Sequence, residues 1–218
     1  MLKNETGNSR ASDKKADDLA TAVAALRRGE VIVFPTETLY GLGADALNAA
    51  AVEKVFQLKG RDFNNPIPLL IADRAMLRTL VADMPQLAEK LMARFWPGPL
   101  TLVLPARPDV PRPLVNSTGG IGVRISNQPI ATALVRAFGR PITASSANPS
   151  GKAPARTVAQ AKNYFADKIY VFIDAGELTS KTGSTVVEIR ANGVRIIREG
   201  EIGKSDLQHA VGKSEVIQ

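Results

Sequence analysis

Cysteine is absent from the 218 residues and histidine occurs once, as His209. The first absence excludes disulfide frameworks, thiolate nucleophiles and Cys-ligated zinc together, and leaves the chain indifferent to redox compartment. The second disfavours a Ser-His-Asp triad or a histidine metal site, since His209 would have to reach back from what reads as a tail, and no metal ligand set is expected. Long apolar runs are missing as well. None approaches the roughly 20 residues that cross a bilayer, and the opening MLKNETGNSRASDKKADD has no apolar stretch of the signal-peptide kind. These absences predict a cytoplasmic protein without a membrane segment, whose chemistry rests on Lys, Arg, Ser, Thr, Asn and backbone groups.

A hydrophobic content of 44% over 218 residues can close one large core. Lys and Arg number 28 against 21 acids, a formal charge of +7, which favours anionic partners such as nucleotides, phosphates or RNA without choosing among them. An evenly solvated basic surface would give the same excess.

Residues 1–15 are polar and aperiodic and read as a disordered lead, 16–202 as one catalytic domain, and 203–218 as a polar C-terminal tail. Leu19, Val23 and Leu26 share a helical face that Gly29 ends, and the apolar run 31–34 before Pro35 predicts a buried strand. Helical spacing returns at Val52, Val55, Phe56 and Lys59, at Leu87, Leu91 and Phe95, and at Ile130, Leu134 and Phe138. Strands are expected at 67–72, 100–104, 121–125, 141–144, 169–173, 185–190 and 194–198, the last third being richer in strand than helix. That order predicts an α/β fold, a single twisted mixed sheet with flanking helices.

Four polar or Gly-rich segments interrupt these patterns: PTETLYGLGAD at 35–45, KGRDFNNP at 59–66, STGGIGVR at 117–124 and SSANPSGKAP at 145–154. Ends of strands and helices are where α/β proteins place ligand groups. Gly41-x-Gly43-x-x-Ala46 formally matches the dinucleotide fingerprint, but Pro35 to Tyr40 separate it from the strand and the residue about 20 positions on is basic, so the match is rejected. No P-loop motif occurs. Tight turns are the plain reading of Gly41 and Gly43. Gly60 between Lys59 and Arg61 lets both heads converge, one as a point charge and one as a bidentate fork, although basic residues at a helix C-terminus also merely offset its dipole. Ser145, Ser146, Asn148, Ser150 and Gly151 offer donors to an anion or a base edge, or form a capped loop leading to a helix near Thr157. Arg198 adds a cation, or a surface salt bridge worth roughly 0–1 kcal/mol.

Taken in order, Pro35-Thr36-Glu37-Thr38-x-Tyr40-Gly41-Leu42-Gly43, Lys59-Gly60-Arg61, Trp96-Pro97-Gly98-Pro99-x-Thr101, Val123-Arg124, Ser146-Ala147-Asn148-x-Ser150-Gly151 and Ser184-Thr185-Val186-Val187 resemble the YrdC/TsaC family over about residues 16–202. The resemblance implies a large basic concave cavity and threonylcarbamoyl-AMP synthase activity: L-threonine, bicarbonate or CO2, and ATP give threonylcarbamoyl-AMP and pyrophosphate, for N6-threonylcarbamoyladenosine in tRNA. It implies a catalytic tetrad of Lys59, Arg61, Ser146 and Asn148. Thr38, Arg124, Ala144 and Ser184 would surround threonine, and Lys59, Arg61, Asn65, Ser146, Asn148 and Arg198 would surround ATP, with Mg2+ on the phosphates. Leu70 stands where a histidine can occur near threonine, and Gly120 where a threonine can contact ATP. The chain ends before the extra domain of longer relatives, which is the short pattern. Implied partners are a downstream tRNA threonylcarbamoyl transferase complex and RNA itself. The rivals are a tRNA or double-stranded RNA binding module, which needs spread charge but no threonine-sized pocket, and a carbamoyl-adenylate-forming relative.

Overall fold

A computed structural model describes the backbone of residues 6–61 and 65–217, with side chains from residue 16 onward. In chain order the elements are α1 (Thr6–Arg27), β1 (Ile32–Pro35), β2 (Tyr40–Gly43), α2 (Ala49–Lys59), β3 (Leu69–Leu70), α3 (Arg74–Arg78), α4 (Gln86–Phe95), β4 (Leu100–Pro105), β5 (Gly120–Arg124), α5 (Pro129–Phe138), β6 (Ile142–Thr143), β7 (Ser145–Ser146), α6 (Val158–Phe165), β8 (Thr185–Arg190), β9 (Gly193–Arg198), α7 (Lys204–Val211) and β10 (Val216–Ile217), with short 3-10 turns at Arg112–Leu114 and Lys213–Glu215. Seven strands form a mixed sheet in the order β10-β9-β8-β4-β5-β3-β6, and β1-β2-β7 form a second, antiparallel one. The expected mixed α/β architecture is therefore present, divided over two sheets rather than one.

Period-two alternation explains how β1 is buried on both sides. Ile32 and Phe34 enter the cluster beneath α1 and α5 with Leu26, Leu134 and Phe138, while Val33 faces the larger cluster of α2, α4 and α6 with Val55, Phe56, Leu91 and Phe165. Leu70 belongs to the first cluster and is 1% exposed, so it contributes packing where a polar side chain would otherwise stand.

Three expectations are corrected. Residues 40–43 form a strand rather than loop because β2 pairs along β1, and its glycines are not turn residues: neither has a positive φ. A Cβ on Gly43 would lie 2.9 Å from the Phe34 ring and one on Gly41 3.3 Å from it, so both are small because Phe34 crosses the strand there. Segment 169–173 forms only an isolated bridge, Val33 with Phe172. The tail expected over 203–218 is folded through residue 217: α7 buries Leu207 and Val211 and packs on α4, and β10 pairs in parallel with β9. Two apolar residues four apart and a two-residue strand are too short to stand out as periodicity. Of the lead expected over 1–15, residues 1–5 lie outside the described residues, and from Thr6 the backbone is already helical. Among the described residues no helix is long and apolar enough to cross a membrane.

Candidate active site

The β1–β2 turn is tied by one hydroxyl. Thr36 Oγ1 donates to the Leu39 carbonyl at 2.7 Å and accepts the Thr38 and Leu39 amides at 3.2 Å each, a hydroxyl-stabilised turn that presents Thr38 and Glu37 in fixed directions. Across β2, Gly41 pairs with Ser146 and Leu42 with Ser145, and the Ala147 amide donates to the Tyr40 carbonyl at 2.8 Å. The segment read as a loop at 145–154 therefore begins as a strand hung on β2. Its far end enters α6 at Thr157, whose hydroxyl caps the Gln160 amide.

Gly60, at φ +56, ends α2 and turns the chain between Lys59 and Arg61. The turn does not bring both heads to one place. Lys59 is 4% exposed and points inward, donating to the carbonyls of Ser146 and Asn148 at 2.7 Å each, with Asn148 Oδ1 at 3.5 Å. Burial, helped by the charge of Arg61, pushes its ammonium down to about 8, and the carbonyl dipoles around it favour the charged form. Asn148 is engaged too, its Nδ2 donating to the carbonyls of Pro149 and Lys152 at 2.9 and 2.7 Å. Arg61 turns the other way, into a cleft.

That cleft, of about 600 Å³, lies within the 300–1,000 Å³ common for small-molecule sites. Thr38, Arg61, Asn65, Arg124, Ala144, Ser146, Ser184 and Arg198 all line it, whereas Lys59 and Asn148 stand behind its wall. Gly120 lines it as well, and a Cβ there would lie 2.7 Å from Val103, so this chain has no room for a larger residue without moving Val103.

Three guanidiniums meet at the cleft. Arg124, at the end of β5, is 5% exposed, and burial lowers its pKa while an ion pair with Glu37 at 3.3 Å raises it. Burial lowers that of Arg61. Arg198 remains open to water at the cleft mouth, yet enough protein surrounds its head to lower its pKa, and Arg124 and Arg61 lower it further. Among the described residues no carboxylate lies within ion-pair reach of Arg61 or Arg198. Arg198 donates instead to the Ser184 carbonyl at 2.8 Å, which replaces the surface salt bridge considered for it. Three clustered cations of which only Arg124 has a matched acid make a site for anions.

Sequence reasoning missed several lining residues. Thr101 is 1% exposed within an apolar strand and shares a hydrogen bond of 2.9 Å with the Ser184 hydroxyl. A buried hydroxyl in an apolar run was the available signal. Thr36, Asn116, Thr118, Glu188 and Arg195 also line the cleft, Thr118 donating to Glu188 at 2.6 Å. Thr36 and Thr118 lie in segments that the sequence singles out, without a role assigned to either, and no local pattern marks Arg195, because a β-bulge at Val186 and Val187 adds one residue to β9 and thereby lets Arg195, Ile197 and Arg198 all face the cleft.

Gly200 closes the same corner. Its amide donates to Thr185 Oγ1 at 2.8 Å, and a Cβ on it would strike the Gly183 carbonyl oxygen and lie 2.7 Å from the Ser184 carbonyl carbon. Gly200→Ala is expected to lower stability by about 1–3 kcal/mol in a urea titration. An unchanged midpoint would mean that these strand ends separate freely.

Comparison with known proteins places these features in context. The model of the family Sua5_yciO_yrdC, described as Telomere recombination, matches residues 24–200. A threonylcarbamoyl-AMP synthase of Bacillus subtilis is 42% identical over 91% of this chain and 58% of its own length, and a putative threonylcarbamoyl-AMP synthase of Mycobacterium tuberculosis is 33% identical over 92% of each. The crystal structure of Pyrococcus abyssi Sua5 complexed with L-threonine superposes with a TM-score of 0.88 at 36% identity, over 93% of this chain and 59% of that one. The chain thus spans a little under three fifths of the Bacillus and Pyrococcus proteins. The matched motifs, the shared fold and the family model covering residues 24–200 agree that the chain belongs to the Sua5/YciO/YrdC family.

Proposed function

We propose that this chain makes threonylcarbamoyl-AMP and pyrophosphate from L-threonine, bicarbonate or CO2, and Mg2+-bound ATP. The product would serve N6-threonylcarbamoyladenosine formation in tRNA, in the cytoplasm, through a downstream threonylcarbamoyl transferase complex. The observation that carries the reading is the meeting of Arg61, Arg124 and Arg198 at one cleft with the hydroxyls of Thr38, Ser146 and Ser184. A carboxylate and a triphosphate are the charges such a cluster compensates.

The chemistry asks for positioning rather than for a protein nucleophile. The neutral threonine amine adds to CO2 with release of one N–H proton, or to bicarbonate with loss of water, and forms a carbamate. A carbamate oxygen then attacks the α-phosphorus as the bond to pyrophosphate breaks. Arg124, Thr38, Ser184 and the Ala144 backbone would hold threonine, and Arg61, Asn65, Ser146 and Arg198 the nucleotide. Lys59 and Asn148 would act from behind by fixing Ser146. Among the described residues no group of three or more His, Cys, Asp or Glu is gathered for a metal, so Mg2+ would arrive with the phosphates of its substrate.

Pyrophosphate release from ATP, with threonine and bicarbonate omitted singly and then together, tests the reading. Release requiring both, with serine a poorer substitute, is the expected result. Release supported by carbamoyl phosphate without threonine would favour the carbamoyl rival. No release under any condition would overturn the synthase reading in favour of an RNA-binding role.

A further inference from the structure

Glu37 leaves the β1–β2 turn between Thr36 and Thr38, two residues that line the cleft, but it does not line the cleft itself. Its carboxylate turns behind the wall. Oε1 lies 3.3 Å from Arg124 Nη1, and Oε2 receives the Ser126 hydroxyl. Ser126 is anchored in turn: its Oγ accepts the Gln128 amide at 3.1 Å, and its carbonyl accepts the Thr132 hydroxyl at 2.9 Å. One carboxylate therefore joins the β1–β2 turn, the end of β5 and the start of α5.

A buried ion pair is a poor way to gain stability. Taking both charges out of water cancels most of their attraction, and apolar residues of similar size commonly do as well or better. The side chains of Arg124 and Glu37 are 6% and 9% exposed, and Glu37 is the sole carboxylate within ion-pair reach of Arg124 among the described residues. Removing it would leave a buried cation facing the charge of Arg198. The guanidinium could relieve both burdens only by swinging toward water, which here means into the cleft, through the volume a substrate carboxylate would occupy.

We infer that Glu37 is a positioning residue that holds the Arg124 guanidinium back in the wall, so that it meets the carboxylate of the amino-acid substrate. The inference rests on the synthase reading above. Glu37 is not a base in the reaction, since Oε1 is enclosed by protein and Oε2 is occupied by Ser126.

The test separates positioning from general structure by comparing the two substrates. Glu37→Ala removes both contacts and is expected to raise KM for threonine about 10–100-fold, the equivalent of a lost charge-assisted hydrogen bond, while KM for ATP stays within about threefold. Glu37→Gln keeps an amide oxygen for Arg124 and an amide nitrogen for Ser126 Oγ. It is expected to return the threonine KM to within about fivefold of wild type, less than the roughly tenfold that 1.4 kcal/mol represents. An unchanged threonine KM in Glu37→Ala, or equal rises for both substrates, would overturn the inference. If Glu37→Ala does not fold, Ser126→Ala decides, because it keeps the ion pair and loses one bond. A rise of about 2–5-fold in threonine KM alone supports positioning, and no rise refutes it. A wild-type protein that releases no pyrophosphate in the presence of threonine would sink the synthase reading and this inference together, whereas an active wild type with an indifferent Glu37→Ala sinks only the inference.

Discussion

Arg61→Ala is expected to cut kcat/KM for adenylate formation about 100- to 1,000-fold, the usual cost of removing one preorganised charge-stabilising donor, and to leave the thermal midpoint within a few degrees of wild type. Arg61 lines the cleft, and its deletion breaks no ion pair among the described residues. Its removal should even ease the repulsion now felt by Lys59 and Arg198. The two halves of the expectation are measured separately, by initial rates of pyrophosphate release and by thermal melting. Activity within about threefold of wild type would exclude Arg61 from the reacting centre, because a contact worth keeping there exceeds roughly 1.4 kcal/mol.

Lys59→Met should lower kcat by about two orders of magnitude through a different route. The ammonium does not itself line the cleft; it holds the carbonyls of Ser146, which does, and Asn148 at 2.7 Å each, and a displacement of about 1 Å in a positioning group can cost 100-fold. Stability should fall by only about 1–3 kcal/mol, since the unsatisfied carbonyls are partly offset by no longer burying a charge. pH gives the sharper reading. The folded pKa of about 8 lies below the ordinary 10.5, so the folded state binds fewer protons than the unfolded state between those values. The penalty for burying this ammonium is therefore fully present below pH 8 and fades as pH rises toward 10.5, so this group by itself makes stability rise with pH across that window. Activity should move oppositely, falling as pH rises through about 8 while the protein stays folded, because the neutral amine has lost one donor and its charge. The methionine variant should lack that limb. A variant profile that keeps it would assign the titration to another group.

The motif segments were legible because they interrupt apolar periodicity, and the loops beginning at Pro35 and Lys59 do border the cleft. What each motif residue does there was less legible. Lys59 and Arg61 are two residues apart and chemically alike as cations, yet α2 ends between them, and one is captured by carbonyls from β7 while the other enters the cleft. Spacing carries no information about which wall a neighbouring strand will supply. Gly41 and Gly43 mislead for the same reason: a glycine needed for a turn and a glycine needed beneath Phe34 look identical until the pairing partner is known.

By itself, the amino-acid sequence determined the α/β class, most of the helices and the long strands, the exclusion of cysteine chemistry, and the family resemblance. Each of these depends on local pattern or residue type. Only the tertiary structure decided that three arginines from distant segments face one another, that Glu37 stands behind Arg124, and that residues 204–217 fold onto the domain rather than trail as a tail. Those outcomes follow from strand pairing, a one-residue bulge in β9 and the burial of a few apolar side chains, which are interactions between residues far apart in the chain and leave no periodic trace along it.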